Sequence, residues 1–214
     1  MTMFVRDSII IDAVLQREIT ARVVAAELGN EPAQAAAYLG PLALPDGKTV
    51  GLFARHAADA IIMDACSQVV LITRIFSPGA GLLAIPGGFI DDIEGKVEAP
   101  VVTAVREAIE ETGIAAEVLA QCVPIAIGTR SYDRPFDIRQ AWNDLTGTRI
   151  RKGDVFSVST QAFCFKISGN LHDYKLQAGD DAKAVSVWAV AELMPDLFAV
   201  PDHITMIEAA CSGS

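Results

Sequence analysis

The chain has 214 residues, enough to bury a full core within one domain, and a formal net charge of −10 that argues against nonspecific binding to nucleic acid or to an anionic membrane surface. Hydrophobic residues make up 51% of it and aromatic ones only 7%, so the interior is expected to be rich in Ala, Val and Ile. No charge-free apolar run approaches the roughly 18 residues of a membrane span, and Asp7 and Asp12 bracket an N-terminal apolar run too short for a secretory signal.

Residues 1 to about 50 carry Ile9, Ile10, Ile11, Val14, Leu15, Ile19, Val23 and Val24, a pattern that marks a helix, or a strand followed by a helix. Glu31 to Leu39 is alanine-rich and reads as helical. The Pro- and Gly-rich run from Gly40 to Gly47 is the natural junction, which divides an extension over residues 1–50 from a main domain over 51–214. Ala58 to Asp64 and Gln68 to Arg74 are apolar runs joined by Ala65, Cys66 and Ser67, and they read as a hairpin. Leu82 to Ile85 forms a third strand that ends in Pro86-Gly87-Gly88, a tight turn where backbone can approach a ligand closely. Cys66, Cys122, Cys164 and Cys211 lie far apart with no Cys-x-x-Cys pair. Free buried thiols in a reducing cytoplasm are therefore expected, rather than a zinc site or a disulfide framework.

The next element is the most informative. Residues 98–114 read EAPVVTAVREAIEETGI, with Pro100 placed as a first helical residue and Gly113 as a stop, so a helix is expected from about Pro100 to Thr112. At about 100° per residue, Glu107, Glu110 and Glu111 fall within roughly 100° of arc, and Val101, Val102, Val105, Ala108, Ile109 and Thr112 point the other way. Thr103 and Ala104 share the carboxylate face and are small, which would leave room for an ion and a substrate. Glu110 and Glu111 lie in the last turn, where the helix dipole opposes negative charge by about 0.3 to 1 kcal/mol each, and a bound cation would remove that conflict. A Glu-Glu pair alone is usually a solvated face. The addition of Arg106, Glu107, Gly113, Glu98 and the glycine turn favours a metal site. All-oxygen ligation by glutamates suits a hard cation, with magnesium more probable than calcium and manganese a workable replacement.

Beyond the helix, the alternating run Ala115 to Ile125 suggests another strand. From Arg130 to Lys152, six basic residues (Arg130, Arg134, Arg139, Arg149, Arg151, Lys152) outnumber three acids (Asp133, Asp137, Asp144), with Tyr132, Pro135, Phe136, Trp142 and Gly147 interspersed. No period is sustained there, so the stretch reads as a basic loop: either a solvated insertion or a substrate lid with arginines for phosphate oxygens and rings for a base or sugar. Thr160 to Ile167 and Lys183 to Val190 are strand-like, and short helices near Ala191 to Met194 and over Asp202 to Cys211 close the chain. Strands and helices in this mixed order point to an α/β sandwich around a mostly mixed sheet.

Glu98, Arg106, Glu107, Glu110, Glu111 and Gly113, with Ala108 and Ile114 at the apolar positions, match in spacing the signature of the Nudix hydrolases, which this chain resembles. The front half departs from the pattern. Nine residues, 89 to 97, separate Gly88 from Glu98 where the family has five, a four-residue insertion in the loop that enters the helix, and Ala99 is a poor N-cap. The resemblance implies a Nudix-type α/β/α sandwich of the α/β (α+β) class with a mixed β-sheet, and metal-dependent cleavage of a phosphoanhydride. It implies Glu107 and Glu111 as principal ligands for Mg2+, with Mn2+ as a possible substitute. Glu110 would be a third ligand or the water-activating base. Arg106 would orient these carboxylates and pair with Glu98, and the Gly88 carbonyl would add a metal ligand.

In several Nudix branches the base lies in a downstream loop, where Asp133, Asp137, Asp180 and Asp181 stand here, each more simply read as a turn residue. Arg74, Arg130 and Arg134 are the candidate substrate contacts. The runs GLLAIPGGFID, GDDAKAVSVW and PDHITMIEAA look like the ADP-ribose pyrophosphatase branch. The expected substrate is accordingly ADP-ribose or a related nucleotide sugar, cleaved to AMP and a sugar phosphate. A nucleoside triphosphate pyrophosphohydrolase and a non-catalytic ADP-ribose-sensing Nudix domain are the alternatives. The N-terminal extension of such enzymes often builds a homodimer, which is the partner expected here.

Overall fold

The computed structural model describes residues 13–26, 34–76, 79–135, 151, 153–179 and 182–212. Among them, helix α1 (Ala13–Ala26) is followed by strands β1 (Ala36–Ala43), β2 (Thr49–Met63), β3 (Gln68–Arg74), β4 (Leu83–Ala84), β5 (Gly87–Phe89), β6 (Asp92–Ile93) and β7 (Lys96–Val97). Helices α2 (Pro100–Thr112) and α3 (Ala116–Leu119), strands β8 (Ile125–Pro135), β9 (Val155–Lys166) and β10 (Ala182–Ala189), and helix α4 (His203–Ser212) complete it.

The main sheet runs β10-β3-β2-β9-β8, with β1 and β5 also paired to β2, and β4 to β3. Its long central strand explains that branching. The first part of β2 pairs with β1, Ala57 to Asp59 pair with β5, and Met63 pairs with Val69 of β3. β2 and β9 are parallel, whereas β8 and β9 are antiparallel, so the sheet is mixed as expected. Side chains alternate across it. Ile61 and Met63 join Ala162, Cys164 and the α4 residues Met206, Ile207 and Ala210 on one face. Ala58, Ala60 and Ile62 join Phe163, Phe165 and the α2 residues Ala104 and Ala108 on the other. The two helices thus cover opposite faces, the mixed α/β sandwich anticipated from the element order.

Several local expectations fail for identifiable reasons. The alanine-rich segment ending at Leu39 is not helical where it is described: Ala36 to Ala43 form β1, because pairing with β2 overrides a weak local propensity. The Gly40–Gly47 run is part of this strand and of the turn after it, Gly40 lying opposite Leu52 with a positive φ at a bulge. Leu15, Ile19 and Val23 of α1, spaced four apart, are buried against Leu42, Leu52, Ala54 and Val155. Ala115 to Ile125 holds the short helix α3 and a turn, not a strand. Arg130 and Arg134 do not lie in a loop. They are strand residues of β8, opposite Thr160 and Phe156, because β9 offers a long antiparallel partner that sequence periodicity could not reveal. Of the expected free buried thiols, all four are free, but Cys66 is exposed in the turn after β2 and only Cys164 is buried, Cys122 and Cys211 being half-buried. No helix among the described residues is long and apolar enough to cross a membrane.

Candidate active site

Helix α2 runs from Pro100 to Thr112 as its end signals indicate, and Gly113 takes the left-handed conformation, φ 66°, that ends it. Its packed face includes most of the expected one, with Ala108 and Thr112 buried and Val101, Val105 and Ile109 packed on the same core, but it is wider toward the carboxylate side. Thr103 and Ala104 are fully buried, while Val102 is 52% exposed. Thr103 and Ala104 are small because the helix lies close on the sheet, not to leave space for an ion. Glu111 lies inward at 8% exposure, and Glu107 faces the glycine turn.

That turn is gripped by carboxylates. Gly87 N–H donates to Glu111 Oε2 at 2.9 Å. A Cβ on Gly88 would collide with the Glu107 carboxylate, and one on Gly87 with Asp59 Oδ1. Both glycines are therefore required by close approach of an acid. Asp59 sits on β2 directly opposite Gly87, is buried, and accepts a hydrogen bond of 2.9 Å from the Thr160 hydroxyl of β9. Sequence reasoning missed Asp59. The available signal was an acid inside the apolar run Ala57-Ala58-Asp59-Ala60-Ile61-Ile62.

Arg106 organises the rest. Its Nη1 donates to Glu107 Oε1 at 2.7 Å and to Glu110 Oε2 at 3.1 Å, and its Nη2 to Glu98 Oε2 at 3.0 Å and the Phe89 carbonyl at 3.1 Å. Thr103 adds a 2.7 Å bond to Glu98 Oε2. The four-residue insertion folds as a hairpin of its own, β6 and β7, closed by Glu94 and Gly95, both at positive φ. The Glu98 N–H then donates to the Asp91 carbonyl at 2.9 Å, so the excursion returns to its starting point and Glu98 meets Arg106. Ala99 makes no side-chain cap, and Pro100 removes one of the donors that a cap would serve.

Electrostatics follows from this packing. Burial pushes the Glu107 carboxyl up, partly countered by Arg106 and reinforced by Glu110 and Asp91. Burial likewise raises Asp59 to about 7, against the Thr160 hydrogen bond and the Arg74 charge, with Glu107 adding to the rise. Burial also works against charge at Glu98, yet the bonds from Arg106 and Thr103 hold it below its ordinary value. Arg106 is likewise opposed by burial and raised by Glu98 and Glu107. At the far end of α2, the carbonyls of Thr112 and Glu111 accept from Gln177 N–H at 2.8 Å and Gly179 N–H at 3.2 Å. The helix dipole therefore meets backbone donors there, in addition to whatever the acids attract.

The structure brings Glu98, Arg106, Glu107, Glu110, Glu111 and Gly88 together. Arg74 acts electrostatically on Asp59. Arg130 Nε pairs with Asp202 Oδ2 at 2.9 Å, which ties β8 to the residue before α4. Arg134 lies farther along β8. Asp133 is on the same strand, while Asp137, Asp144, Asp180 and Asp181, and the basic-loop residues Phe136, Arg139, Trp142, Gly147, Arg149 and Lys152, lie outside the described residues. Among the described residues, no three His, Cys, Asp or Glu side chains converge tightly enough to hold an ion as they stand. The donor set nevertheless fits a hard divalent cation. It consists of carboxylate oxygens, drawn into contact at a turn whose glycines leave no side chain in the way.

A family model described as the NUDIX domain matches residues 54–209. No curated protein matches the chain by sequence. Among solved structures, the chain is similar to a bifunctional NMN adenylyltransferase/ADP ribose pyrophosphatase from Francisella tularensis, with 21% identity over 73% of this chain and 40% of that one and a TM-score of 0.51. It is similar to that organism's enzyme complexed with AMP and a manganese ion, with 17% identity over 94% and 47% and a TM-score of 0.52. It is similar also to the NUDIX domain of Shewanella oneidensis NrtR complexed with ADP ribose, with 20% identity over 74% and 86% and a TM-score of 0.51. These likenesses concern the fold, and the chain spans less than half the length of the Francisella chains.

Proposed function

From the chain's membership of the Nudix family, we propose that it is a divalent-metal-dependent pyrophosphohydrolase that cleaves a nucleoside diphosphate linked to another moiety, ADP-ribose foremost, to AMP and ribose 5-phosphate. The observation that carries this reading is the seating of Glu107 and Glu111 on the Gly87-Gly88 turn, with Arg106 spanning Glu98, Glu107 and Glu110. The similarity in fold to an ADP ribose pyrophosphatase and to a NUDIX domain complexed with ADP ribose supports the choice of substrate.

In this reading Glu107, Glu110 and Glu111, with the Gly88 carbonyl, hold Mg2+ or Mn2+. A bound divalent cation supplies charge neutralisation at the phosphate oxygens and acidifies water. The chain's own residues do the positioning. Arg106 fixes the Glu107 and Glu110 carboxylates, Gly87 N–H fixes Glu111, and Glu98 keeps Arg106 from swinging away. Glu110, held by Arg106, serves either as a third ligand or as the base that accepts the proton shed by the attacking water. Arg74, Arg130 and Arg134 remain the proposed contacts for the substrate, and a homodimer the proposed assembly.

The test is product analysis. The protein is incubated with Mg2+ and, in turn, with ADP-ribose, ADP-glucose, diadenosine polyphosphates, NADH and deoxynucleoside triphosphates. Release of AMP from ADP-ribose at the highest kcat/KM is expected. Preferential cleavage of a triphosphate would replace the substrate, and tight ADP-ribose binding with no cleavage of any compound would make the protein a sensor.

A further inference from the structure

We propose that Arg55 of β2 is a positioning residue of the site: stacked on the ring of Phe89, it fixes the Phe89 carbonyl and the Asp91 carboxylate that steer Arg106 onto Glu107 and Glu110. The inference rests on the metal-dependent reading above and adds to it a residue that acts only through Arg106.

By alternation along β2, Ala58 and Ala60 face α2, and Arg55 and Ala57 face the other way. Phe89 is opposite Ala57, so its ring lies on the side of the sheet away from α2, and the Arg55 guanidinium covers that ring at 4.1 Å from its centroid. Arg106 approaches the same residue from α2, donating from Nη2 to the Phe89 carbonyl at 3.1 Å. Two guanidiniums thus grip one residue, one by its ring and one by its backbone. The grip falls where the chain is least constrained. Phe89 ends a three-residue strand that begins with two glycines, and beyond the Ile90 N–H bond to the His56 carbonyl the chain leaves for the hairpin of β6 and β7.

Asp91 links the two cations. Its Oδ2 stands 3.6 Å from Arg106 Nη2, and its charge acts on Arg55 as well. Burial, at 6% exposure, lowers the Arg55 pKa to about 10 and Asp91 works against that fall, so the group is cationic at neutral pH. A residue needed only to cover Phe89 would be apolar, with no buried charge to answer. The arginine adds an attraction that keeps Asp91 shared. Without it, Asp91 is left to Arg106 alone and competes for the fork that Glu107 and Glu110 occupy at 2.7 and 3.1 Å.

The experiment uses the full chain and two readouts: turnover of the nucleotide that the wild type cleaves best, and the Nε–Hε nuclear magnetic resonance signal of Arg106 in the metal-free protein, identified by its absence from Arg106→Gln. For Arg55→Met, kcat is expected to fall about tenfold with KM little changed, and the Arg106 signal, which reports the Nε–H bonds to Glu98, to shift. Arg55→Lys keeps a cation over the ring and should limit the loss to about threefold. Added to Arg106→Gln, Arg55→Met should cost no more than about twofold further, because the two residues act through one contact. An unmoved Arg106 signal or a wild-type kcat in a folded Arg55→Met protein overturns the proposal and leaves the reading above standing. A further loss of about tenfold in the Arg106→Gln background overturns it too, since Arg55 would then act independently. If Arg55→Met does not fold, Phe89→Leu, which removes the ring and keeps the backbone, decides: the same loss is expected, and unchanged kcat overturns the proposal. If the wild type cleaves none of the nucleotides, this inference and the metal-dependent reading fall together.

Discussion

The Glu98 amide donates to the Asp91 carbonyl at 2.9 Å, so the chain leaves the glycine turn, makes a six-residue excursion over residues 92–97 and returns to the same place. Deletion of that excursion is expected to be tolerated. Asp91 and Glu98 are already joined by that bond, and replacing residues 92–97 by Asn-Gly would close the same pair with a two-residue turn. The melting temperature should move by no more than a few degrees, and kcat/KM by no more than a few-fold. A loss of a hundredfold in kcat/KM would show that the hairpin itself touches the substrate.

Glu111→Gln should lower kcat by about 10² to 10³, roughly 3 to 4 kcal/mol in barrier, with far-ultraviolet circular dichroism and melting temperature close to wild type. Folding is spared because a glutamine oxygen still accepts from Gly87 N–H, the 2.9 Å contact that seats the side chain. Near-normal turnover in this variant would remove Glu111 from the metal site.

Gly179→Ala is expected to destabilise the protein by about 1 to 3 kcal/mol, read from denaturant unfolding. A Cβ there would strike the Glu110 carbonyl, where residues 177–179 run along the end of α2 and supply backbone donors to it. Because Glu110 and Glu111 belong to that last turn, a loss of activity should accompany the loss of stability. An unchanged unfolding midpoint would mean that this segment is not docked in solution.

The helix was readable because its signals are local. Pro100, Gly113 and the 3.6-residue spacing of its acids all act within one element, and the observed Pro100–Thr112 agrees with them. The burial of Thr103 and Ala104 was not readable, because it is imposed by a sheet whose strands are distant in sequence. β1 and β8 were missed for the same reason: each is a strand because a long neighbour, β2 or β9, offers it a ladder of hydrogen bonds. Asp59 illustrates the limit most sharply. An acid inside an apolar run marks a buried carboxylate, and only the register reveals that it lies opposite Gly87.

The last expectation concerns acid stability and His203. This residue opens α4, is buried, and accepts from the Ile85 N–H at Nδ1 over 3.1 Å, with the edge of the Phe198 ring against it. Burial drives its pKa down to about 3, and the Arg74 charge adds to that fall. A depressed histidine is neutral when folded and takes up a proton when unfolded, near pH 6.5. Its contribution is therefore complete above that value and is lost as pH falls from about 6.5 toward 3. By linkage the loss between pH 7 and pH 5 is about 2 kcal/mol. Asp59 moves the other way in the same range, because a carboxyl raised to about 7 gains a proton in the folded state first. The two contributions oppose each other, so wild-type stability alone is a poor readout. His203→Asn, whose side-chain oxygen can still accept from Ile85, retains the Asp59 contribution and removes the histidine. Urea unfolding of both metal-free proteins at pH 7 and pH 5 should show the wild type losing about 2 kcal/mol relative to His203→Asn. Equal pH dependence in the two proteins would mean that His203 is solvated, and that α4 does not close over Ile85 as it does here.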